Sequence, residues 1–468
     1  MSKQPNVIVF FTDQQRWDSM AAHGNPLGIT PNLDYAAQHG THVYNSFTCQ
    51  PVCGPARACL QTGLYASQAG VHRNGIGLNP DHTTLAQCFN NAGYHTGYIG
   101  KWHLATSGKG PVPEEQRGGY QYWLAANALE GTSDSYDCIV YDNDEQEVKL
   151  PGYRVDALTD AAIRYVDDHQ NEPFFLFMSF LEPHHQNHLD DYPPPIGYRE
   201  QYTGRWTPPD LDALPTHPDA QSTYPDAIPT GGSTHQHLAG YWGMIKRLDE
   251  AYGRLLDSLR SLGLLEDTIV LFTSDHACHF RTRNKEYKRS CHESSIRVPT
   301  VLTGGPFTGG GTLNELVSLV DLPPSLLDGA GLEVPDQMSG RSILPILGGR
   351  GKTLENPWPD DVFVQISESG IGRSVRTHRW KYAVHNQNTP PNPEGAESYQ
   401  EAYLYDLQAD PYELRNLIGE KSHRPVADRM QARLLNYIKN VENQTPEIID
   451  AEPRQSHARR VDDYEVEM

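Results

Sequence analysis

Apolar runs recur along the chain, and most of them stop on a polar cluster. Val7–Phe11 is β-branched and aromatic and ends at Thr12-Asp13. Thr96–Ile99 leads into Gly100-Lys101, Phe174–Phe180 into Glu182-Pro183-His184, and Thr268–Phe272 into Thr273-Ser274-Asp275. A short, uninterrupted apolar run predicts a strand covered on both faces, as in a central parallel sheet. Helical spacing fills the intervals. Asn32–His39 follows Thr30-Pro31, a cap and a first-turn proline. Leu85–Ala92 stops at Gly93, a C-terminal signal. Val155–His169 and Leu238–Leu262 also repeat at helical spacing. Strands alternating with helices predict an α/β fold with a large, mainly parallel sheet flanked by helices. In such sheets the ligand site lies beyond the carboxyl ends of the strands, where each of these polar clusters falls.

The pattern breaks in two places. Pro183–Gly232 is rich in Pro, Asp, Tyr and His with little periodicity, and predicts a long surface excursion. Around Pro345–Pro359 the composition shifts to Gly, Pro and charge, predicting a boundary. Beyond it, Val362–Ser367, Ser374–Thr377, Trp380–His385 and Tyr403–Asp406 read as short antiparallel strands, and Arg424–Val441 as a helix. The expected organisation is a catalytic α/β domain over residues 1–350, a smaller α+β subdomain over 351–445, and a polar, extended tail over 446–468.

Composition narrows the functional classes. The 468 residues are enough to bury a sizeable core, and the mean hydropathy of −0.60 is that of a soluble globular chain. The net charge of −21 argues against nucleic-acid and acidic-membrane partners, which require a basic footprint. It leaves room for an anionic substrate, because a few cations focused in a cleft outweigh a distant average. No run approaches the ~20 apolar residues that span a bilayer. Met1–Asn6 is polar and leads straight into an apolar run, so the sequence as written predicts a cytoplasmic protein, or a periplasmic or secreted one if a signal was trimmed. Seven scattered cysteines form no CxxC pair, which predicts neither a structural zinc site nor a disulfide framework.

The narrowest local pattern is Cys53-Gly54-Pro55-Ala56-Arg57, followed by Leu60-Gln61-Thr62-Gly63. A lone cysteine near an arginine is most often a small buried hydrophobe. The full pattern, however, resembles the signature of the formylglycine-dependent sulfatases, members of the alkaline phosphatase superfamily, in which that cysteine is oxidised after translation. The resemblance extends to four other segments: Asp13-Gln14, Gly100-Lys101-Trp102-His103, Glu182-Pro183-His184, and Lys288 through Pro299, the last with His292 where the family usually has tyrosine. Asp275-His276 completes the family's metal pair. Gln14 departs from the commoner Asp-Asp form and resembles a subgroup shared with phosphonate monoester hydrolases.

The resemblance implies an alkaline-phosphatase-like fold and a site. Asp13, Gln14, Asp275 and His276, with the position-53 side chain, would hold one divalent metal. Carboxylates with an amide oxygen suit calcium, which is favoured, while the histidine leaves manganese or zinc open. Cys53 would be converted to formylglycine by a formylglycine-generating enzyme, the expected maturation partner. Its hydrated aldehyde would attack sulfur. Arg57 would orient it, Lys101 and Lys288 would neutralise sulfate oxygens, His103 would take the proton that releases sulfate, and His184 would protonate the leaving alcohol. His185, Gln186, Arg281, Arg283 and His292 are the candidate substrate contacts, with Asn187 beside them. Two arginines after the metal pair would bind a neighbouring carboxylate or second sulfate. The expected activity is sulfate-ester hydrolysis, on a small molecule or oligosaccharide and preferably a sulfated sugar. The alternatives are a phosphonate or phosphodiester hydrolase of the same superfamily, or an unconverted binding protein.

Overall fold

A computed structural model of the chain describes residues 4–220, 234–348, 354–386, 393–456 and 461–466. The strands are β1 (Asn6–Thr12), β2 (Thr41–Phe47), β3 (His95–Lys101), β4 (Tyr122–Ala126), β5 (Cys138–Tyr141), β6 (Glu147–Leu150), β7 (Phe174–Ser179), β8 (Thr268–Ser274), β9 (Val301–Thr303), β10 (Gly311–Ser318), β11 (Asp361–Ile366), β12 (Ile371–Thr377), β13 (Trp380–Asn386), β14 (Ser398–Asp406) and β15 (Glu447–Ile449). They form a ten-stranded sheet in the order β10-β2-β9-β8-β1-β7-β3-β4-β5-β6 and a five-stranded sheet in the order β11-β12-β13-β14-β15.

In the large sheet the central strands β8, β1, β7, β3 and β4 are all parallel. Antiparallel pairing enters only where β9 joins β8 and β2, and where β5 and β6 close the far edge. The apolar runs are continuous because both faces are covered. Val7, Val9 and Phe11 of β1 belong to one core, and Ile8 and Phe10 to another on the opposite face. Helices Cys53–Thr62, Leu85–Asn91 and Leu322–Gly329 supply the first core through Ala56, Leu60, Phe89 and Leu326. Helices Arg154–Asp168 and His235–Ser261 supply the second through Leu158, Leu248 and Leu255.

The described part of the 183–232 excursion departs from the expected surface loop. Residues 221–232 lie outside the described residues, but Asp190, Tyr192, Asp210 and Leu211 are buried. The Arg16 guanidinium explains part of this, since it is buried and pairs Asp210 at 2.8 Å. A buried cation requires such a partner.

The small sheet is antiparallel from β11 to β14, as the short runs predict, while β15 adds in parallel. The tail is therefore not simply extended. Glu447–Ile449 pairs with the edge of β14, and the buried Trp380 indole donates to the Glu465 carbonyl at 2.8 Å. An open strand edge and a buried indole N–H both demand partners, and the tail provides them. Part of the expected boundary, 349–353, falls outside the described residues, yet packing does not break there. Phe363, Val375 and Trp380 share one core with Leu319 and Ile343. A buried ion cluster ties the sheets further, with Lys381 Nζ 2.7 Å from both Glu293 and Glu413 and Arg376 3.3 Å from Glu293. All seven cysteines are free, and no helix among the described residues is long and apolar enough to cross a membrane.

The Lys381→Met variant leaves two buried carboxylates without their shared cation. It is expected to lose about 3–5 kcal/mol of unfolding free energy. Urea titration checks this, and an unshifted midpoint would show that the cluster does not hold the sheets together.

Candidate active site

The register of the parallel strands assembles the site. Thr12 of β1 pairs with Ser274 of β8, so Asp13 and Asp275 emerge side by side at the carboxyl edge. Gly100 of β3 pairs with Ser179 of β7, which brings Lys101 to the same edge. Only glycine fits at position 100. Its φ is 111°, and an added Cβ would lie 1.9 Å from the Ser179 carbonyl oxygen. Cys53 opens the Cys53–Thr62 helix, and Arg57 follows one turn later on the same face.

Around the Cys53 Sγ lie Lys288 Nζ at 2.9 Å, His276 Nε2 at 3.4 Å and Asp13 Oδ1 at 3.6 Å. Ligand atoms of Asp13, Cys53, Asp275 and His276 all fall within 4.8 Å of one another, and all four residues are buried. Arg57 donates to Asp13 at 3.0 Å, to Asp275 at 3.5 Å and to the Lys101 carbonyl at 2.9 Å. Lys101 Nζ lies 2.8 Å from Asp13 and 3.2 Å from Glu130. His184 Nε2 lies 3.2 Å from Lys288 Nζ, and its Nδ1 is 2.6 Å from the His185 carbonyl.

Mutual electrostatics follow from this crowding. Burial alone would raise the Cys53 thiol, but Lys101, Lys288 and His276 overcome it and hold it well below its ordinary value. Burial likewise opposes Asp13, and Lys101, His184 and Lys288 win, keeping it ionised below the usual carboxylate range. Burial and the Asp13 charge together push Asp275 up to about 7. Burial would raise Glu130, yet Lys101 and His103 lower it to about 2. Burial and Lys288 both lower His184, so its protonated form is a ready proton donor.

The donor set fits a divalent cation. The Gln14 backbone N–H donates to Asp275 at 3.0 Å, and its side-chain amide donates to Tyr192 and Cys278 at 3.1 and 3.2 Å. That leaves Gln14 Oε1 buried without a partner. His276 Nδ1 is 3.0 Å from the Ala277 carbonyl, which fixes the proton there and turns the Nε2 lone pair toward the two carboxylates. Asp13, Asp275, Gln14 and His276 are thus the residues that would hold the ion.

A cavity of about 340 Å³ opens over this cluster, lined by Cys53, His103, Glu130, His184, Lys288 and Arg289 among others. Of the expected substrate contacts, His185 and Arg281 line it, as does Asn187. His185 stacks between His184 and Tyr287 at 4.3 Å from each ring, and Arg281 covers Tyr287 while pairing Asp190. Gln186, Arg283 and His292 do not line it. Gln186 is held by Arg154 and the Ser133 carbonyl. Arg283 donates to the Tyr412 and Glu413 carbonyls, and His292 bonds the Tyr405 hydroxyl at 3.1 Å. Each is turned away from this cavity by those structural partners. Arg57 and Lys101 also stand behind the cavity wall, against Asp13, rather than on it. Asn74, Glu130, Lys285, Glu286, Tyr287 and Arg289 also line the cavity and were not among the expected site residues. Glu130 follows the carboxyl end of β4, so the strand-end rule would have found it had Tyr122–Ala126 been read as a strand. Asn74, whose side chain accepts the Gly54 N–H at 2.9 Å, sits in an irregular loop that carries no such signal.

A doubly covered α/β sheet whose carboxyl edge gathers carboxylates and cations around one buried cysteine is the architecture of a hydrolase of anionic esters. The chain belongs to the sulfatase family, whose model, described as Sulfatase, matches residues 5–332, and it is a sulfuric ester hydrolase. A second family model, described as N-sulphoglucosamine sulphohydrolase, C-terminal, matches residues 286–440. The chain is 29% identical over 450 residues to an ulvan-active sulfatase of Formosa agariphila, covering 92% of this chain and 80% of that one. It is 26% identical over 507 residues to an N-acetylglucosamine-6-O-sulfatase of Bacteroides thetaiotaomicron, covering 95% and 87%. A solved structure in complex with its substrate D-glucosamine-2-N,6-O-disulfate superimposes with a TM-score of 0.78 at 24% identity, covering 95% of this chain and 99% of that one.

Chelator-treated protein is expected to gain thermal stability when calcium, manganese or zinc is added. A ligand at 100 times its Kd stabilises by about 2.7 kcal/mol. Asp275→Asn should blunt the shift for every ion. A melting temperature indifferent to all three ions would remove the cation site.

Proposed function

We propose that the protein removes sulfate from a sulfated sugar, with formylglycine at position 53 and one divalent cation, calcium favoured, on Asp13, Gln14, Asp275 and His276. The observation that carries this reading is the convergence on Cys53 Sγ of Lys288, His276 and Asp13, all within 3.6 Å. The cation supplies charge neutralisation at the sulfate oxygens and at the nucleophile. Formylglycine, made from Cys53 by a formylglycine-generating enzyme, supplies a geminal diol with one hydroxyl to attack sulfur and a second through which sulfate is released.

The chain's own residues do the rest. Lys288, between Cys53 and His184, is placed to hold a sulfate oxygen above position 53. Arg57 and Lys101 act from behind: they hold the Asp13 carboxylate in place and keep it charged. His103 lines the cavity with Glu130 Oε1 3.9 Å from its Nε2, an arrangement that stabilises the ring once it takes the proton from the second hydroxyl. His184 donates its Nε2 proton to the departing sugar oxygen. His185 and Arg281 contact the sugar. At the rim, Lys285 is exposed and lines the same cavity, which favours an anionic substrate over a neutral one.

Cys53→Ala is expected to lower turnover by at least roughly 1,000-fold, the scale on which removing a single transition-state contact acts, while leaving the unfolding midpoint in place. Peptide mass spectrometry should show the thiol of residue 53 replaced by an aldehyde. Fully active protein with an intact thiol would refute the nucleophile. Parallel assays on defined sulfated sugars and an aryl phosphodiester test the substrate. Preference for the phosphodiester would instead favour the phosphonate-hydrolase alternative that Gln14 raises.

A further inference from the structure

A second cavity, of about 430 Å³, opens where the small sheet meets the segment that follows β8. It shares Arg289 with the catalytic cavity. Arg289 is gripped by Glu286 at 2.8 Å and Glu368 at 2.5 Å, so the two cavities meet across an ion-paired wall. Arg283 and His292, which lie outside the catalytic cavity, both line this one.

Its chemistry is that of a saccharide site. The partly exposed ring of Tyr403 is braced by Tyr405, 5.8 Å away and nearly parallel, and by the edges of His292 and His385 at 5.0 and 5.2 Å. A rigid aromatic face with polar groups around it packs the C–H face of a sugar and leaves its hydroxyls to the polar groups. Arg283 has two donors committed to backbone carbonyls, while its Nε is unpartnered and, among the described residues, it forms no ion pair. Arg283 is thus a cation on the lining of the cleft, beside Arg289, which is already ion-paired. His292 is 2% exposed, and its Nδ1 has no partner although Nε2 bonds Tyr405. A buried ring nitrogen without a partner is costly unless something else satisfies it.

We infer that this cleft binds an anionic sugar unit, a uronate or a sulfated residue, of the same chain whose sulfate ester is held at Cys53. The inference rests on the sugar-sulfatase reading and extends it: the substrate is an oligosaccharide gripped at two places, with Arg289 between them.

Calorimetric titration of metal-loaded, full-length protein carrying Cys53→Ala tests it, because binding is then read without turnover. The probes are sulfated monosaccharides and size-defined tetrasaccharides containing uronate, prepared from heparan sulfate and from ulvan. A tetrasaccharide is expected to bind at least roughly tenfold tighter than the matching monosaccharide. Gly370 lines the cleft, its backbone is not left-handed, and an added Cβ there meets nothing within 4 Å. Gly370→Trp should therefore fill the cleft without strain, abolish the tetrasaccharide advantage and leave monosaccharide binding unchanged. Tyr403→Ala should reduce the same advantage. Tetrasaccharides that bind no tighter than monosaccharides, or an advantage that survives Gly370→Trp, would overturn the cleft assignment alone. Binding of no sugar at all, by protein whose parent hydrolyses 4-nitrophenyl sulfate, would overturn the sugar reading and the cleft with it.

Discussion

Two carboxylates, Asp13 and Asp275, are buried side by side with no exposure at all, and the rest of the site is arranged around that fact. Burying a charge is expensive unless it is paired and hydrogen-bonded, and burying two like charges together is worse. Parallel pairing of β1 with β8 forces the two together, because whatever follows Thr12 and Ser274 must emerge at adjacent points. Arg57 answers the problem from the opposite side. Its single guanidinium reaches Asp13, Asp275 and the Lys101 carbonyl, and so joins the ends of three strands. Lys101 adds a second cation at Asp13. Asp275 still sits near 7, which marks it as the under-compensated member and the place where a further positive charge stabilises the folded protein.

The same constraint explains the spacing in the Cys53 motif. Cys53 and Arg57 are one helical turn apart, so a helix that points Arg57 at the carboxylates also points Cys53 at them. Burial then works on the thiol through its neighbours. Lys101 and Lys288 outweigh desolvation, and the side chain at position 53 rests where negative charge is favoured. A group that is to carry negative charge at this position needs that field.

What the sequence disclosed, and what it hid, divides along physical lines. The strand ends were legible because a strand buried on both faces writes itself as an uninterrupted apolar run, and its last residue fixes where the next polar side chain points. Asp13, Lys101, His184 and Asp275 all follow such runs. Glu130 was hidden because Tyr122–Ala126 is short and carries two alanines, too weak a run to read, although its end behaves like the others. Arg283 and His292, expected at the substrate, line the second cleft and not the cavity over Cys53, for a different reason. They lie in irregular backbone, where proximity in sequence to Asp275 or Lys288 says nothing about direction, and the small sheet turns both toward itself. The tail's anchoring was not legible, because its polar composition conceals what its backbone does for the β14 edge and for Trp380.

The small sheet is also part of the catalytic scaffold. Glu368, just past β11, accepts the Asn74 backbone N–H at 2.7 Å and the Arg289 guanidinium at 2.5 Å. Asn74 in turn accepts the Gly54 N–H, next to Cys53. A continuous chain of hydrogen bonds therefore runs from position 53 through Asn74 and Glu368 to Arg289, on the wall between the two cavities. Such a chain holds the N-terminus of the Cys53 helix and the substrate wall as one rigid body, because moving either end breaks charge-assisted bonds to the same carboxylate. The fold thus couples the position of Cys53 to that of the wall between the two cavities through a residue supplied by the second sheet. That is a physical reason for a hydrolase whose clustered carboxylates and cysteine gather at the edge of one sheet to carry another.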